Sequence, residues 1–317
     1  GELNASHLGF YSNGKEEEVF YKSRTMETGI LFDNQRPYVV DRVLKRSAAD
    51  KHGKKIGKGD ILTHVNGDAI DTLQNRDVYF TKPSSDTKIT LTFRRSNVDS
   101  SYTVRVHPRG SLSGNFYDEW MDWNQNYVDE KSKKRIAYVH MKDMGMDEYE
   151  RFVHDMTRDW YKKDALILDL RYNTGGNVHD LVLNFLSQKP YLQWKYREGK
   201  PTPQPNFGVA AKPIVLLINE QSLSDAEMTA TGFKALKLGK IIGTETYRWI
   251  IFTSGKGLVD GSFYRLPSWG CYTLDGKNIE QEGVTPDIYI KQTFTDRLTD
   301  KDPQLDRAIE EILKDLK

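Results

Sequence analysis

Between residues 28 and 107 apolar and polar side chains alternate in short runs. YVVDRV, ILTHVNG, KITLTF and YTVRVH each send every second residue to one face, the period of a half-buried strand. HGKKIGKGD is a glycine-punctuated turn, and Asn66-Gly67 is a tight-turn pair with little steric cost at positive φ. RSAADKHG and LQNRDVYF each have room for a short helix. The pattern predicts a small domain of mostly antiparallel strands. Residues 1–27 read as short and irregular, and the 107–115 stretch HPRGSLSGN reads as a linker or domain edge.

Past that stretch the rhythm becomes strand, helix, strand. RIAYVHM is a strand, and ALILDL and PIVLLI are near-continuous apolar runs, as in strands buried on both faces. Between them, DEYERFVHDMTRDWYKK carries Tyr149, Phe152, Val153, Met156 and Trp160 at helical spacing. VHDLVLNFL is a second helix, and SDAEMTATGFKALKLG a third, closed by Gly239. KIIGTE follows as a strand. In the last helix Asp302 is the N-cap, Pro303 the first residue, and Leu305, Ile309, Ile312 and Leu316 the core stripe. This alternation predicts βαβ units in a largely parallel sheet.

Composition narrows the functional classes. The 317 residues carry 46 Lys and Arg against 45 Asp and Glu, a net charge of +1. That balance gives no electrostatic case for nucleic acid or an anionic membrane. No apolar run approaches the roughly 20 residues of a membrane helix, and no signal peptide is visible. The chain opens on Gly1, which reads as a processed piece of a longer protein. The compartment, cytoplasm or periplasm, is not written in this N-terminus. The lone Cys271 excludes an internal disulfide and reads as a small buried apolar residue. The seven histidines show no H-x-x-x-H spacing, so neither a metal nor a cofactor is expected.

Four stretches could carry chemistry. In LILDLRYNTGGN a buried strand ends in a turn containing Gly175 and Gly176, and its N–H groups suit an oxyanion. In INEQSLSDAEMTA, Ser224 opens a helix, either as a nucleophile or as the cap of the box Ser224-Asp225-Ala226-Glu227, with Ser222 as a turn residue. Both turns follow buried strands, so a parallel sheet brings them to one edge. A serine nucleophile needs a base. Candidates are His7 in NASHLGF, His140, His179 just past the glycine turn, and His154, whose place beside core positions reads as structural. Glu280 and Glu282 in DGKNIEQEGVTPDIYI are acids that could orient a histidine, directly or through a hydroxyl.

LILDLRYNTGG, INEQSLSDAE, KIIGTET and EQEGVTPDI stand in order, and together they resemble the C-terminal processing protease and tricorn superfamily of serine peptidases. GKKIGKGDILTHVNGDAI looks like the core of a PDZ domain. The resemblance implies an α/β, parallel-sheet, ClpP/crotonase-like protease domain plus a small mostly-β PDZ domain. It implies three parts: an N-terminal segment with a Ser-His pair (1–27), a PDZ-like domain (28–109) and the protease domain (110–317).

The branch of the family decides the base. Processing proteases use a lysine after the nucleophilic helix, where this chain has Trp249 in GTETYRWI. Tricorn-type enzymes use a histidine from a Ser-His pair, present here as Ser6-His7, and Ser224-Asp225 resembles the tricorn nucleophile. The implied roles are Ser224 as nucleophile, His7 as base, Glu280 acting on His7 through the Ser6 hydroxyl, and an oxyanion hole from the N–H groups of Asp225 and of Gly175 or Gly176. Gly29, Ile30, Leu31 and Phe32 fall where a PDZ domain holds a peptide carboxylate. The implied partners are peptides or unfolded proteins, together with self-association into a homo-oligomer. Two alternatives stay open. Lys256 in SGKG could be the lysine of a Ser-Lys dyad. Alternatively Arg248 and Trp249, in place of small residues, could leave an impaired, PDZ-bearing peptide binder.

Overall fold

A computed structural model describes residues 7–14, 24–51, 55–82, 88–96, 98–158, 160–205 and 212–316. The chain divides into two compact units, one of Gly1–Lys15 with Asn124–Lys317, the other Glu16–Trp123.

The elements that build the sheet and site of the first unit are the following. The strands are β1 (Gly9–Tyr11), β2 (Ile136–His140), β3 (Ala165–Asp169), β4 (Ile214–Ile218), β5 (Lys240–Gly243), β6 (Ile251–Gly257), β7 (Phe263–Gly270) and β8 (Ile288–Tyr289). The helices are α1 (Met146–Arg158), α2 (His179–Ser187), α3 (Asp225–Ala235), α4 (Ile279–Glu282) and α5 (Pro303–Asp315).

Strands β2, β3, β4, β5 and β8 form one sheet in that order, every neighbouring pair parallel. Every residue of β2, β3 and β4 is buried, which is why their sequences run apolar without alternation. Alternate residues still choose a face. Ala137 and Val139, Leu166 and Leu168, and Ile214, Leu216 and Ile218 join one core with Phe152 and Met156 of α1, Val182 and Leu186 of α2, and Ala226, Ala230 and Phe233 of α3. On α5, Leu305, Ala308, Ile309 and Ile312 are buried, and this helix packs on β3, β4 and β5. Asp302 caps α5 by accepting the Leu305 N–H at 2.9 Å, with Pro303 following as expected.

The other unit is antiparallel. Asp68–Ala69, Ile61–Val65, Ile89–Arg94 and Ser101–Val106 form a four-stranded sheet in that order, and Ile30–Phe32 pairs with Val40–Val43. Its core gathers Ile30, Val40, Leu62, Val65, Ile89, Leu91, Phe93, Val104 and Val106.

Several expectations change. Ser113–Ser132 is a 20-residue helix that takes in part of the expected linker. Its sequence is mostly polar, and one of its inward residues is Asn124, fully buried, whose amide donates to the Tyr138 hydroxyl at 3.0 Å. RSAADKHG makes turns and bends rather than a helix over its described residues. LQNRDVYF gives only a 3-10 turn, Arg76–Phe80, capped by Asn75. Helix α3 stops at Ala235, short of Gly239. Gly239 serves another purpose, because a Cβ there would sit 1.9 Å from the Ile214 carbonyl oxygen. The irregular N-terminus contains β1, which pairs antiparallel with β7. Cys271 is half-buried against the main core rather than fully enclosed. Among the described residues no helix is long and apolar enough to cross a membrane.

Candidate active site

The turns after β3 and β4 lie side by side at the carboxyl edge of the sheet, and polar groups sew them together. The Ser222 hydroxyl donates to the Leu170 carbonyl at 2.7 Å and accepts the Asn219 N–H at 3.0 Å. The Leu223 N–H donates to the Asn173 carbonyl at 3.1 Å, and Asn219 Oδ1 accepts the Tyr172 N–H at 3.0 Å. Ser222 is thus a structural turn residue.

Backbone conformation marks Ser224. It holds φ 55° and ψ −118°, a region costly for a side-chain-bearing residue, at the entry to α3. The Glu227 carboxylate accepts its N–H at 3.0 Å, while the Glu227 N–H goes to the Ser224 carbonyl at 2.8 Å. The hydroxyl makes no cap bond and is left for other use. His7 Nε2 lies 3.2 Å from it, across 217 residues of sequence.

The chain brings His7 there through β1. Gly9, Phe10 and Tyr11 pair with Arg265, Tyr264 and Phe263 of β7, and Arg265 Nε donates to the His7 carbonyl at 3.0 Å. The imidazole meets the Trp249 ring edge-on, with centroids 5.3 Å apart. Burial, then the Arg265 charge, push the His7 pKa down, with Glu280 opposing them. Glu280 sits in α4 and acts on His7 electrostatically. Ser6 lies outside the described residues.

The glycine turn is packed against Ser224. A Cβ on Gly175 (φ 81°) would stand 2.6 Å from Ser224 Cβ, and one on Gly176 (φ 158°) 2.1 Å from the Met144 carbonyl oxygen. Both positions therefore require glycine. The two differ in what their N–H groups do. Gly175 donates to Asn173 Oδ1 at 2.8 Å, whereas among the described residues the N–H groups of Gly176 and Asp225 have no acceptor. His7, Gly175, Gly176, Ser224, Asp225 and Arg265 line a cleft of about 540 Å³, a volume suited to a few residues of peptide.

The other histidines are elsewhere or engaged. His140 is buried, its Nε2 2.8 Å from the Arg171 carbonyl. His154 is on the exposed side of α1, not on the core side expected from its neighbours. His179 borders the cleft, but its Nδ1 lies 2.5 Å from Asp225 Oδ1, and Asp225 raises its pKa. Lys256 and Glu282 are exposed, and neither lines the cleft. Gly29–Phe32 belong to the other unit, where Gly29 takes φ 91° and the Ile30 N–H donates to the Thr28 hydroxyl at 3.3 Å.

Sequence reasoning named two residues without their part in the site. Glu227 has a fully buried carboxylate that accepts four donors: the Thr246 hydroxyl at 2.7 Å and the N–H groups of Arg248 at 2.8 Å, Trp249 at 2.9 Å and Ser224 at 3.0 Å. Burial pushes its pKa up against the pull of those donors. Its capping-box position was legible; its reach to residues 246–249 was not. Trp249, a departure from the family text, forms one wall of the His7 seat. Neither it nor Arg248 lines the cleft; the Arg248 guanidinium pairs with Glu245 at 2.8 Å.

Comparison with known proteins agrees with this geometry. The model of "Peptidase family S41" matches residues 135–290, and that of "PDZ domain" matches residues 4–94. The tricorn protease of Thermoplasma acidophilum is 35% identical over 207 residues, covering 63% of this chain and 19% of that protein. A tricorn protease homolog of Saccharolobus solfataricus is 31% identical over 274 residues, covering 86% of this chain and 25% of the relative. The crystal structure of the tricorn protease superposes with a TM-score of 0.80 at 26% identity, covering 92% of this chain and 29% of that one. The chain thus spans about a quarter of the length of these relatives. By motif order and fold, residues 135–290 match peptidase family S41, and the chain is similar to the tricorn-type members of that family.

Proposed function

We propose that this chain hydrolyses peptide bonds as a serine peptidase, with Ser224 as nucleophile and His7 as general base. The approach of His7 Nε2 to the Ser224 hydroxyl carries the reading. Ser224 Oγ attacks the scissile carbonyl carbon while His7 Nε2 takes its proton. The carbonyl oxygen becomes an oxyanion held by the N–H groups of Gly176 and Asp225. Gly175 positions the turn, since its own N–H is spent on Asn173. The N-terminus of α3 favours the same charge. Collapse of the intermediate breaks the C–N bond, and His7 returns the proton to the leaving amine. Water, deprotonated by His7, then cleaves the acyl ester and frees Ser224.

The His7 imidazolium formed midway is favoured by the Glu280 charge. His7 Nδ1 is buried, and it has no hydrogen-bond partner among the described residues. A relay through the Ser6 hydroxyl is the proposed link from this nitrogen to Glu280.

A fluorophosphonate probe followed by peptide mass mapping tests the assignment. The adduct is expected on Ser224 and is expected to vanish in Ser224→Ala. An adduct of unchanged yield in that variant would end the reading.

A further inference from the structure

Arg265 has more hydrogen-bonding capacity than holding His7 requires. Its Nε donates to the His7 carbonyl at 3.0 Å, which fixes the plane of the guanidinium and uses one of its five N–H groups. Among the described residues no carboxylate forms an ion pair with it. The acid that lines the cleft, Asp225, is engaged by His179 through both the ring and the backbone N–H, the latter at 3.0 Å. The strand neighbours directly opposite Arg265 are Gly9 on β1 and Gly255 on β6, and the rings of Tyr11 and Phe263, neither of them a charge partner, cover those glycines. The result is a half-buried cation that lines the cleft, held in orientation beside the proposed base, with guanidinium donors that His7 leaves free.

We propose that Arg265 is a specificity-determining residue, receiving a peptide carboxylate in the cleft through the guanidinium N–H groups that His7 leaves free. This rests on the cleft's being a peptide site and adds the chemistry of what that site selects. Guanidinium and carboxylate match as a planar two-point pair, stronger than a neutral hydrogen bond and dependent on the fixed fork that the His7 contact provides. The same chemistry is offered by an Asp or Glu side chain near the scissile bond and by a free C-terminus.

Binding measured without turnover separates this proposal from the catalytic one. Ser224→Ala protein is titrated calorimetrically with matched hexapeptides. One pair carries Glu or Gln at each position in turn, with both ends blocked. A second pair carries neutral side chains with a free or an amidated C-terminus. A carboxylate in at least one register is expected to tighten binding by about tenfold over its amide counterpart. Preference within the first pair assigns the source to a side chain, and within the second to the terminus. In Ser224→Ala/Arg265→Gln the preference is expected to collapse to near unity. Arg265→Lys, which keeps the charge but loses the fork, is expected to retain part of it. Equal binding of acid and amide peptides, a preference that survives Arg265→Gln, or no measurable binding would overturn the proposal.

Discussion

The Trp249 ring stands edge-on to the His7 imidazole, 5.3 Å between centroids, and its own backbone N–H is tied to Glu227 at 2.9 Å. Trp249 thus packs against the proposed base. A misplacement of about 1 Å in a catalytic group can cost up to about 100-fold in rate. Trp249→Ala is expected to lower kcat by about 10- to 100-fold with KM little changed. Trp249→Phe, which keeps a ring there, should recover most of that loss. Steady-state kinetics on a peptide substrate check both variants.

Glu227 ties the Ser224 turn to residues 246–249. Its removal leaves three backbone N–H groups and one hydroxyl without their acceptor, at about 1–3 kcal/mol for each buried orphan. Glu227→Ala is therefore expected to lose at least about 3 kcal/mol in urea unfolding. Glu227→Gln should lose less. Its amide oxygen still serves the donors on one side, while its NH2 faces the N–H groups on the other. An alanine variant within about 0.5 kcal/mol of the parent, the size of an ordinary surface change, would contradict this role.

Ser224 sits at φ 55° and ψ −118°, where a Cβ is strained and glycine is not. Ser224→Gly is therefore expected to be more stable than Ser224→Ala by about 1 kcal/mol, although both lose the hydroxyl. Ordinary N-cap preference for glycine over alanine acts in the same direction, so equal stability of the two variants would contradict the strain. Thermal unfolding of the two variants side by side decides the point.

The His179 pKa is raised by Asp225, so their pairing contributes stability that is fully present below the ordinary histidine value. That contribution is lost as pH rises through the raised value. Stability profiles of the parent and His179→Asn should therefore diverge at low pH and converge at high pH.

The sheet was legible because burial on both faces leaves an unbroken apolar run, as in ALIL and IVLLI, and because helix α5 announces itself with Asp302, Pro303 and a regular apolar stripe. Ser113–Ser132 was not legible, since much of its length is polar and one of its buried contacts uses Asn124. The candidate nucleophile and glycine turn could be read from position, because both follow buried parallel strands. The choice of His7 over His179 could not be made from the residues alone. It depends on β1 pairing with β7, a contact far along the chain that no local periodicity encodes. Gly176 and Gly175 are equal in the sequence, and only the Asn173 side chain separates them.

The most direct test of the dyad is the pH dependence of fluorophosphonate labelling at Ser224. A neutral His7 is required, and burial and Arg265 hold its pKa below the ordinary 6.5. The labelling rate should therefore rise with pH through a midpoint below 6.5 and stay flat above it. In His7→Ala that inflection should disappear along with nearly all of the rate. A His7→Ala protein that labels at the parent rate with the same inflection would contradict the account.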